Sequence, residues 1–447
     1  MKNSSFNMTT GNPLKNILIF AIPIMMSGLI QQGYNVADTY IAGRFISANA
    51  LASIGSVGPM SSLLMGFCMG VTGGFAIPIA QAFGAGDKKR TNHYAGNAIS
   101  LTIIISLVIM SLSLFLVKPI LTLLGTPQEI FYDARLYVSI IYAGAIFTTL
   151  YNVMASILRA LGDSKAPLKF LTITAILNVF LNYFTIAILG MGVEGAAIST
   201  VLSQLVSCIL CVIYIRSRKE MLNITKEDFV IKKSTVLLML KMGLPMSLQF
   251  SITGIGSMVL QSTINTYGAS VVAGFTIANK PELLANIPLS ATGVACATFA
   301  GQNYGAGRMD RVRQGARSAI AFAGSMSVVM STILYFFGGR IAQIFVDGAN
   351  AETINAAHTY LKVIAVFYFA LAVLFVFRNT LQGTGKTYVS MIAGVSELVG
   401  RVVAALILSK LFGFFGVCLA SPLAWICADI PLLLIYYIKV IKKQDRR

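Results

Sequence analysis

A single aspartate, Asp38, stands inside a long apolar run of the sequence. Between Lys15 and Arg44 the chain carries no other charge. A charged side chain at the centre of a membrane helix costs about 2.5–3.5 kcal/mol on an insertion scale, and such residues usually have a function. The position of Asp38 therefore predicts that the run lies outside a membrane or that the acid binds an ion or a proton.

Other polar side chains could complete an ion site around Asp38. Asn178 and Asn182 are four residues apart in a later apolar run, on one helix face, and Thr200 lies early in the next run. A carboxylate, two amides and a hydroxyl offer oxygen ligands, which suit a hard cation such as Na⁺ or a proton carried by the acid. The alternative for the amides and the hydroxyl is interhelical hydrogen bonding that holds a bundle together.

The helix of Asp38 carries a polar face. Gln31, Asn35 and Asp38 are spaced so that all three lie on one side of a helix, and Tyr34 lies one turn before Asp38. The second half of the sequence has charges of its own inside apolar runs, namely Lys280, Glu282, Glu397, Arg401 and Asp429. Glu397 and Arg401 are four residues apart and can form an ion pair, and a substrate or proton role stays open.

The composition defines the class of protein. The chain has 447 residues, of which 56% are hydrophobic and 11% charged, and its mean hydropathy is +0.78. Soluble proteins have about a quarter of their residues charged, so this is an integral membrane protein. With two histidines and neither a G-x-S-x-G nor an H-E-x-x-H motif, we expect no enzyme activity and no cofactor.

Apolar stretches of about 20 residues, separated by charges or by glycine and proline turns, predict membrane helices. The predicted fold is all-α, with twelve membrane helices. Residues 216–234, the longest polar stretch, separate an N-terminal lobe (1–215) from a C-terminal lobe with a basic tail (235–447). The twelve predicted segments are 17–43, 51–82, 95–117, 134–158, 168–189, 194–215, 236–263, 269–301, 316–337, 358–380, 388–411 and 415–438.

The basic residues predict the orientation in the membrane. Most Lys and Arg residues, Arg378 counted among them, fall in the segments on the side of the termini and in the adjoining helix ends. Because loops rich in Lys and Arg stay in the cytoplasm, both termini and the linker at 216–234 are predicted to be cytoplasmic. This asymmetry explains most of the net charge of +18 without nucleic acid as a partner.

The two halves of the sequence resemble each other. Four short motifs recur in the same order at displacements of 221 to 223 residues. Each half has an even number of segments, so the repeats run in the same direction and are related by a pseudo-two-fold axis along the membrane normal. The matched pairs are "AIPIMMSG" with "GLPMSLQF", "QAFGAG" with "QNYGAG", "LRALGD" with "LQGTGK", and "GVEGAAIS" with "GFFGVCLA".

The first-helix motif "YNVADTYIAGRF", the "QAFGAG" loop, "ILRALGDSKAP" and "GVEGAAIST" resemble those of the multidrug and toxic compound extrusion (MATE) family. The resemblance covers nearly the whole chain. It implies an antiporter that exports cationic or amphipathic compounds by alternating access, driven by inward flow of Na⁺ or H⁺. The implied setting is a monomer among the lipids of the bacterial cytoplasmic membrane.

The resemblance also implies roles for individual residues. One prokaryotic subgroup has an N-lobe cation site that matches Asp38, Asn178, Asn182 and Thr200, with a second acid where this chain has Asn182. The loss of that acid should weaken Na⁺ binding. The family places a helix bend at a position that matches Pro23. The resemblance also implies a substrate cavity lined by residues that match Gln31, Tyr34 and Asn152, and Asn35, on the same helix face as Gln31, is predicted to join them.

Two points remain open on the sequence alone. Another subgroup of the family has a C-lobe site with a seventh-helix glutamate, and the nearest position here is Thr253, so that site is expected to be absent. The alternative function is a flippase of the related superfamily that moves a lipid-linked precursor. Those proteins tend to have more membrane spans and several cationic cavity residues.

Overall fold

A computed structural model describes residues 7–344 and 351–442, and the basic tail beyond residue 442 lies outside the described residues. Within these ranges all regular structure is helical. The α-helices are α1 (Pro13–Phe45), α2 (Ala48–Ser56), α3 (Gly58–Gly84), α4 (Lys88–Leu123), α5 (Gln128–Ala143), α6 (Ala145–Ala160), α7 (Lys165–Asn182), α8 (Val193–Ser217), α9 (Lys233–Asn265), α10 (Ala269–Gly305), α11 (Met309–Ile344), α12 (Ala351–Val366), α13 (Tyr368–Gly383), α14 (Tyr388–Val403), α15 (Ser409–Cys418) and α16 (Ala420–Tyr436).

The helices confirm the predicted fold class. Among the described residues, 10 helices are long and apolar enough to cross a membrane, and up to 12 crossings result if each of two bent pairs is one span. The second predicted segment, 51–82, is wrong in one respect, because it is not one continuous helix: the helix is interrupted at Val57, between α2 and α3. Pro59 lacks a backbone N–H and therefore belongs in the first turn of a helix, which is where it lies in α3.

The bent pairs follow the sequence repeat. α5 and α6 meet at Gly144 with a bend of 43°, and α12 and α13 meet at Phe367 with a bend of 54°. These two positions are separated by the same displacement as the repeated motifs. Glycine turns recur as well: Gly86 (φ +74°) ends "QAFGAG" and Gly307 (φ +73°) ends "QNYGAG". A positive φ favours glycine, so the backbone conformation explains why glycine recurs at this position in both halves.

By their internal contacts the described residues form two compact units. The first comprises Asn7 and Met26–Ser247, and the second comprises Met8–Met25 and the chain from Leu248 onward. Both divisions fall inside a leading helix, two residues after a proline, Pro23 in α1 and Pro245 in α9. The predicted division into lobes of residues 1–215 and 235–447 remains a prediction.

In the second unit, a buried arginine of α11 makes three of the hydrogen bonds that hold the segment before α1. The Arg311 guanidinium donates to the carbonyl oxygens of Met8 (3.1 Å), Thr10 (3.2 Å) and Gly11 (3.0 Å). Asn303 also donates to the carbonyl of Met8, at 3.2 Å. These bonds fix residues 8–11 against α10 and α11.

We predict that Arg311→Ala releases this segment. A hydrogen bond to a charged group contributes roughly 1.5–3 kcal/mol, so amide hydrogen exchange across residues 8–11 should rise by at least about tenfold. Gln314→Ala, an exposed change on the same helix, is the control. Equal exchange in both variants would show that Arg311 does not hold the segment.

Candidate functional site

The first unit brings Asp38 together with two of its predicted partners. Nδ2 of Asn182 donates to Oδ1 of Asp38 at 2.6 Å. With its amide nitrogen toward the acid, Asn178 donates to Oδ1 at 2.8 Å and to Oδ2 at 3.1 Å. We assign that orientation because the opposite one would turn an amide oxygen toward the carboxylate oxygens. The carboxylate of Asp38 is thus clasped by two buried amides.

The end of α7 positions this clasp. Directly after Asn182 the helix widens into one π-helical turn, Tyr183–Ile188. Thr185 in that turn hydrogen-bonds to Ser199 Oγ of α8 at 3.0 Å and donates to the Gly195 carbonyl oxygen at 3.2 Å. Such π-helical turns are frequent at functional sites. They change the face that a helix presents, and this one fixes α7 against α8 just beyond the two amides.

Thr200, the fourth predicted member of the ion site, lies in α8. Its hydroxyl donates to the Ala196 carbonyl of its own helix at 3.0 Å. Among the contacts of the described residues, none joins Thr200 to Asp38. Its role in an ion site therefore stays a prediction.

One oxygen beside the clasp is unused. Oδ1 of Asn182 is buried and has no hydrogen-bond partner among the described residues. Buried polar atoms are nearly always paired, so this acceptor is available to a ligand that supplies positive charge or a proton. A cation can use this oxygen together with the carboxylate. If Asp38 carries a proton instead, its O–H can donate to an Asn178 amide that has turned its oxygen inward.

Two tyrosines stand near the acid. Tyr34, one turn before Asp38 in α1, interacts with the side chain of Gln31. Tyr137 in α5 lies within electrostatic range of both Asp38 and Tyr34 and packs against a core that includes Val138. Sequence reasoning missed Tyr137, since a tyrosine in an apolar helix carries no distinguishing signal.

The other predicted residues lie apart from the clasp. Gln31 and Asn35 are exposed on α1, and Asn152 is half-buried on α6. In the part of the chain that the structure describes, neither Asn35 nor Asn152 hydrogen-bonds to Asp38. Pro23 is buried inside α1, where its missing N–H weakens the helix and permits a bend.

The second unit contains a buried ion pair that the sequence did not predict. Nη1 of Arg378 donates to Oε1 of Glu397 at 3.0 Å. Arg378 lies in α13 and is buried, with its side chain toward α14; its placement on the cytoplasmic side stays a prediction. The predicted pair of Glu397 with Arg401 is present but longer, at 3.9 Å. Arg401 donates instead to the carbonyl oxygen of Thr253, at 2.9 Å.

Two further acids are buried in this unit. The Tyr360 hydroxyl donates to Oε2 of Glu282 at 2.9 Å, and Glu282 interacts electrostatically with Arg401. Asp429 interacts with Arg378 and Glu397. Lys280, by contrast, is exposed. We call the five buried groups the charge cluster: Glu282, Arg378, Glu397, Arg401 and Asp429.

We predict that Arg378→Leu destabilises the protein. Removal of one partner from a buried pair leaves an uncompensated charge, which costs roughly 3–5 kcal/mol, whereas removal of both is often nearly neutral. Thermal unfolding in detergent should therefore show a large loss for Arg378→Leu and recovery in Arg378→Leu/Glu397→Leu. A double variant as unstable as the single one would contradict the pairing.

Comparison with known proteins decides the family. The model of the MatE family matches residues 23–184 and 245–407, two stretches that begin at Pro23 and Pro245. The chain belongs to the MatE family. It is therefore a multi-pass membrane transporter of bacterial type and not an enzyme, as the sequence predicted.

Individual relatives agree with this assignment. The chain is 29% identical to the probable multidrug resistance protein YpnP of Bacillus subtilis (strain 168) over 382 residues, which are 85% of each chain. It is 26% identical to the probable multidrug resistance protein YoeA of the same organism over 434 residues, 94% of this chain and 92% of YoeA. A crystal structure of MATE in the bent conformation, 24% identical, matches all of both chains with a TM-score of 0.92 and so shares the MatE fold.

Proposed function

We propose that this transporter exports cationic or amphipathic small molecules and that inward movement of H⁺ or Na⁺ drives the export. The observation that carries the proposal is the clasp, a carboxylate inside a membrane helix that is held by Asn178 and Asn182. Its relatives YpnP and YoeA are named as probable multidrug resistance proteins, which supports small-molecule drugs as the exported substrates.

The clasp suggests how an ion could change the conformation. The ionised Asp38 receives amide hydrogen bonds from α7, and bonds to a charged group are worth roughly 1.5–3 kcal/mol each. A proton removes the charge, and Na⁺ competes for the same oxygens, so either one weakens the hold of α7 on α1. The helix can then bend at Pro23, where one backbone hydrogen bond is already missing.

We further propose that the protein works as a monomer in the bacterial cytoplasmic membrane with both termini in the cytoplasm. The distribution of Lys and Arg supports this orientation.

The function can be tested in a bacterial host that lacks its own drug pumps. Cells that express the protein should lose a preloaded cationic dye faster and survive higher dye concentrations than cells with an empty vector. Collapse of both the H⁺ and the Na⁺ gradient, by a protonophore together with a sodium ionophore, should abolish the difference. Complementation of a flippase-deficient strain without any dye efflux would overturn the proposal.

A further inference from the structure

Asp429 is a buried acid to which the proposed transport cycle assigns no role. It lies in α16, is 8% exposed, and its Oδ1 is buried without a hydrogen-bond partner among the described residues. An ionised carboxylate in such a place is costly unless a counter-charge or hydrogen bonds satisfy it. The unpaired oxygen therefore needs a partner of positive charge or a proton.

The neighbours of Asp429 come from the helices packed against α16. α13 contributes Arg378, and α14 contributes Glu397, with Arg401 one turn further along. α15 carries the exposed Lys410, which is not among the groups that interact with Asp429. The remaining titratable groups on α15 and on α16 with its extension are Cys418, Cys427, Tyr436, Tyr437 and Lys439.

The charges of the cluster do not balance. Three carboxyl groups face two guanidinium groups, so the fully ionised cluster has one negative charge in excess. Glu397 is paired with Arg378, and Glu282 receives the hydroxyl of Tyr360. Asp429 is the carboxyl group of the cluster that has an oxygen without a hydrogen-bond partner among the described residues. One additional positive charge at this position would make the cluster neutral.

A proton fits this place better than a metal ion. A hard cation needs several oxygen ligands at once, and the groups that face Asp429 include the guanidinium of Arg378, which repels cations. A proton needs only the free Oδ1. Nε of Arg401 is also buried and unpaired, so the cluster holds a spare donor as well as a spare acceptor in the state described.

We propose that Asp429 is a second proton-binding acid of this transporter, located in the second unit and separate from Asp38. The cluster binds the proton on Asp429 and releases it when the surroundings of Arg378 rearrange. The role of this proton in transport rests on the proposed function, but proton binding itself does not.

An infrared titration can test proton binding without transport. Purified protein in lipid membranes is taken from acidic to alkaline pH, and the carbonyl stretch of protonated carboxyl groups is followed. As the pH rises, the wild type should lose a component of this carbonyl band whose frequency shifts when the protein contains ¹³C-labelled aspartate. The Asp429→Asn variant should lack this component. That component should persist in the controls Asp38→Asn and Glu282→Gln.

The outcomes separate the two proposals. An unchanged titration in Asp429→Asn, or a component lost in Glu282→Gln instead, would overturn the assignment to Asp429. If Asp429→Asn does not fold, Asp429→Glu keeps the acid, and a component that no longer shifts with labelled aspartate supports the assignment, whereas one that still shifts overturns it. Failure of dye efflux with an intact Asp429 component would refute only the exporter.

Discussion

The Asp38→Asn variant should bind a cationic dye and yet fail to accumulate it against a gradient. Asparagine has nearly the same shape as aspartate but cannot carry the charge that receives the amides of Asn178 and Asn182. Without that charge, neither H⁺ nor Na⁺ binds one conformation of the transporter more tightly than the other. A ligand with equal affinity for both conformations cannot shift the equilibrium between them. In inverted membrane vesicles we expect uphill dye transport at the level of vesicles that lack the protein.

Glu129→Gln is the matched control for Asp38→Asn. It removes one carboxylate from the exposed first turn of α5, so transport should be unchanged. Expression and dye affinity should be similar in both variants. Uphill transport in Asp38→Asn at the rate of the control would remove Asp38 from the mechanism.

Asn182→Asp should change which ion drives transport. The variant places a second carboxylate against Asp38, where the amide nitrogen now lies 2.6 Å from Oδ1. Two carboxylates in one site repel each other and favour a bound cation, and added negative ligands strengthen the binding of hard cations. We expect dye transport by the variant to rise by about tenfold or more on addition of Na⁺, whereas the wild type should respond less.

Asn35→Asp controls for added charge alone. It introduces the same carboxylate on the same helix as Asp38, at an exposed position that does not hydrogen-bond to Asp38 among the described contacts. Its Na⁺ response should match that of the wild type. An equal gain in both variants would show that any added carboxylate on this face of α1, and not one within the clasp, attracts the ion.

Much of the architecture could be predicted because it depends on local pattern. Apolar length predicted the membrane helices, and the motif displacement predicted a repeat that the structure shows again in Gly86 and Gly307. The bends at Gly144 and Phe367 were not predicted. Neither is at a proline, and a bend without proline leaves no clear mark in the sequence.

The sites were predictable to different degrees. The spacing of Asn178 and Asn182 placed both on one helix face, and the family resemblance supplied their pairing with Asp38. The pair of Arg378 with Glu397 was not predicted, since a residue near the end of an apolar segment can point into the bundle or out to water, and only the facing helix decides. Tyr137 was missed because its electrostatic interaction with Asp38 joins two helices that are distant in sequence.

The two halves of the sequence repeat thus have different buried polar groups. The residue that matches Asp38 in the second half is Leu260, a buried apolar side chain, as the sequence displacement indicates. The second unit has its acids at Glu282, Glu397 and Asp429, together with two arginines. The first unit therefore offers one acid between neutral amides, whereas the second offers an excess acid within a network of charges.

The most direct test of the central claim, that Asp38 couples dye export to an ion, is the simultaneous measurement of dye and ion flux in proteoliposomes. An imposed dye gradient should drive H⁺ or Na⁺ in the opposite direction in the wild type, as recorded by internal pH and Na⁺ indicators. Asp38→Asn should show no such ion flux. Dye movement without counter-flow in the wild type, or undiminished counter-flow in Asp38→Asn, would contradict the account.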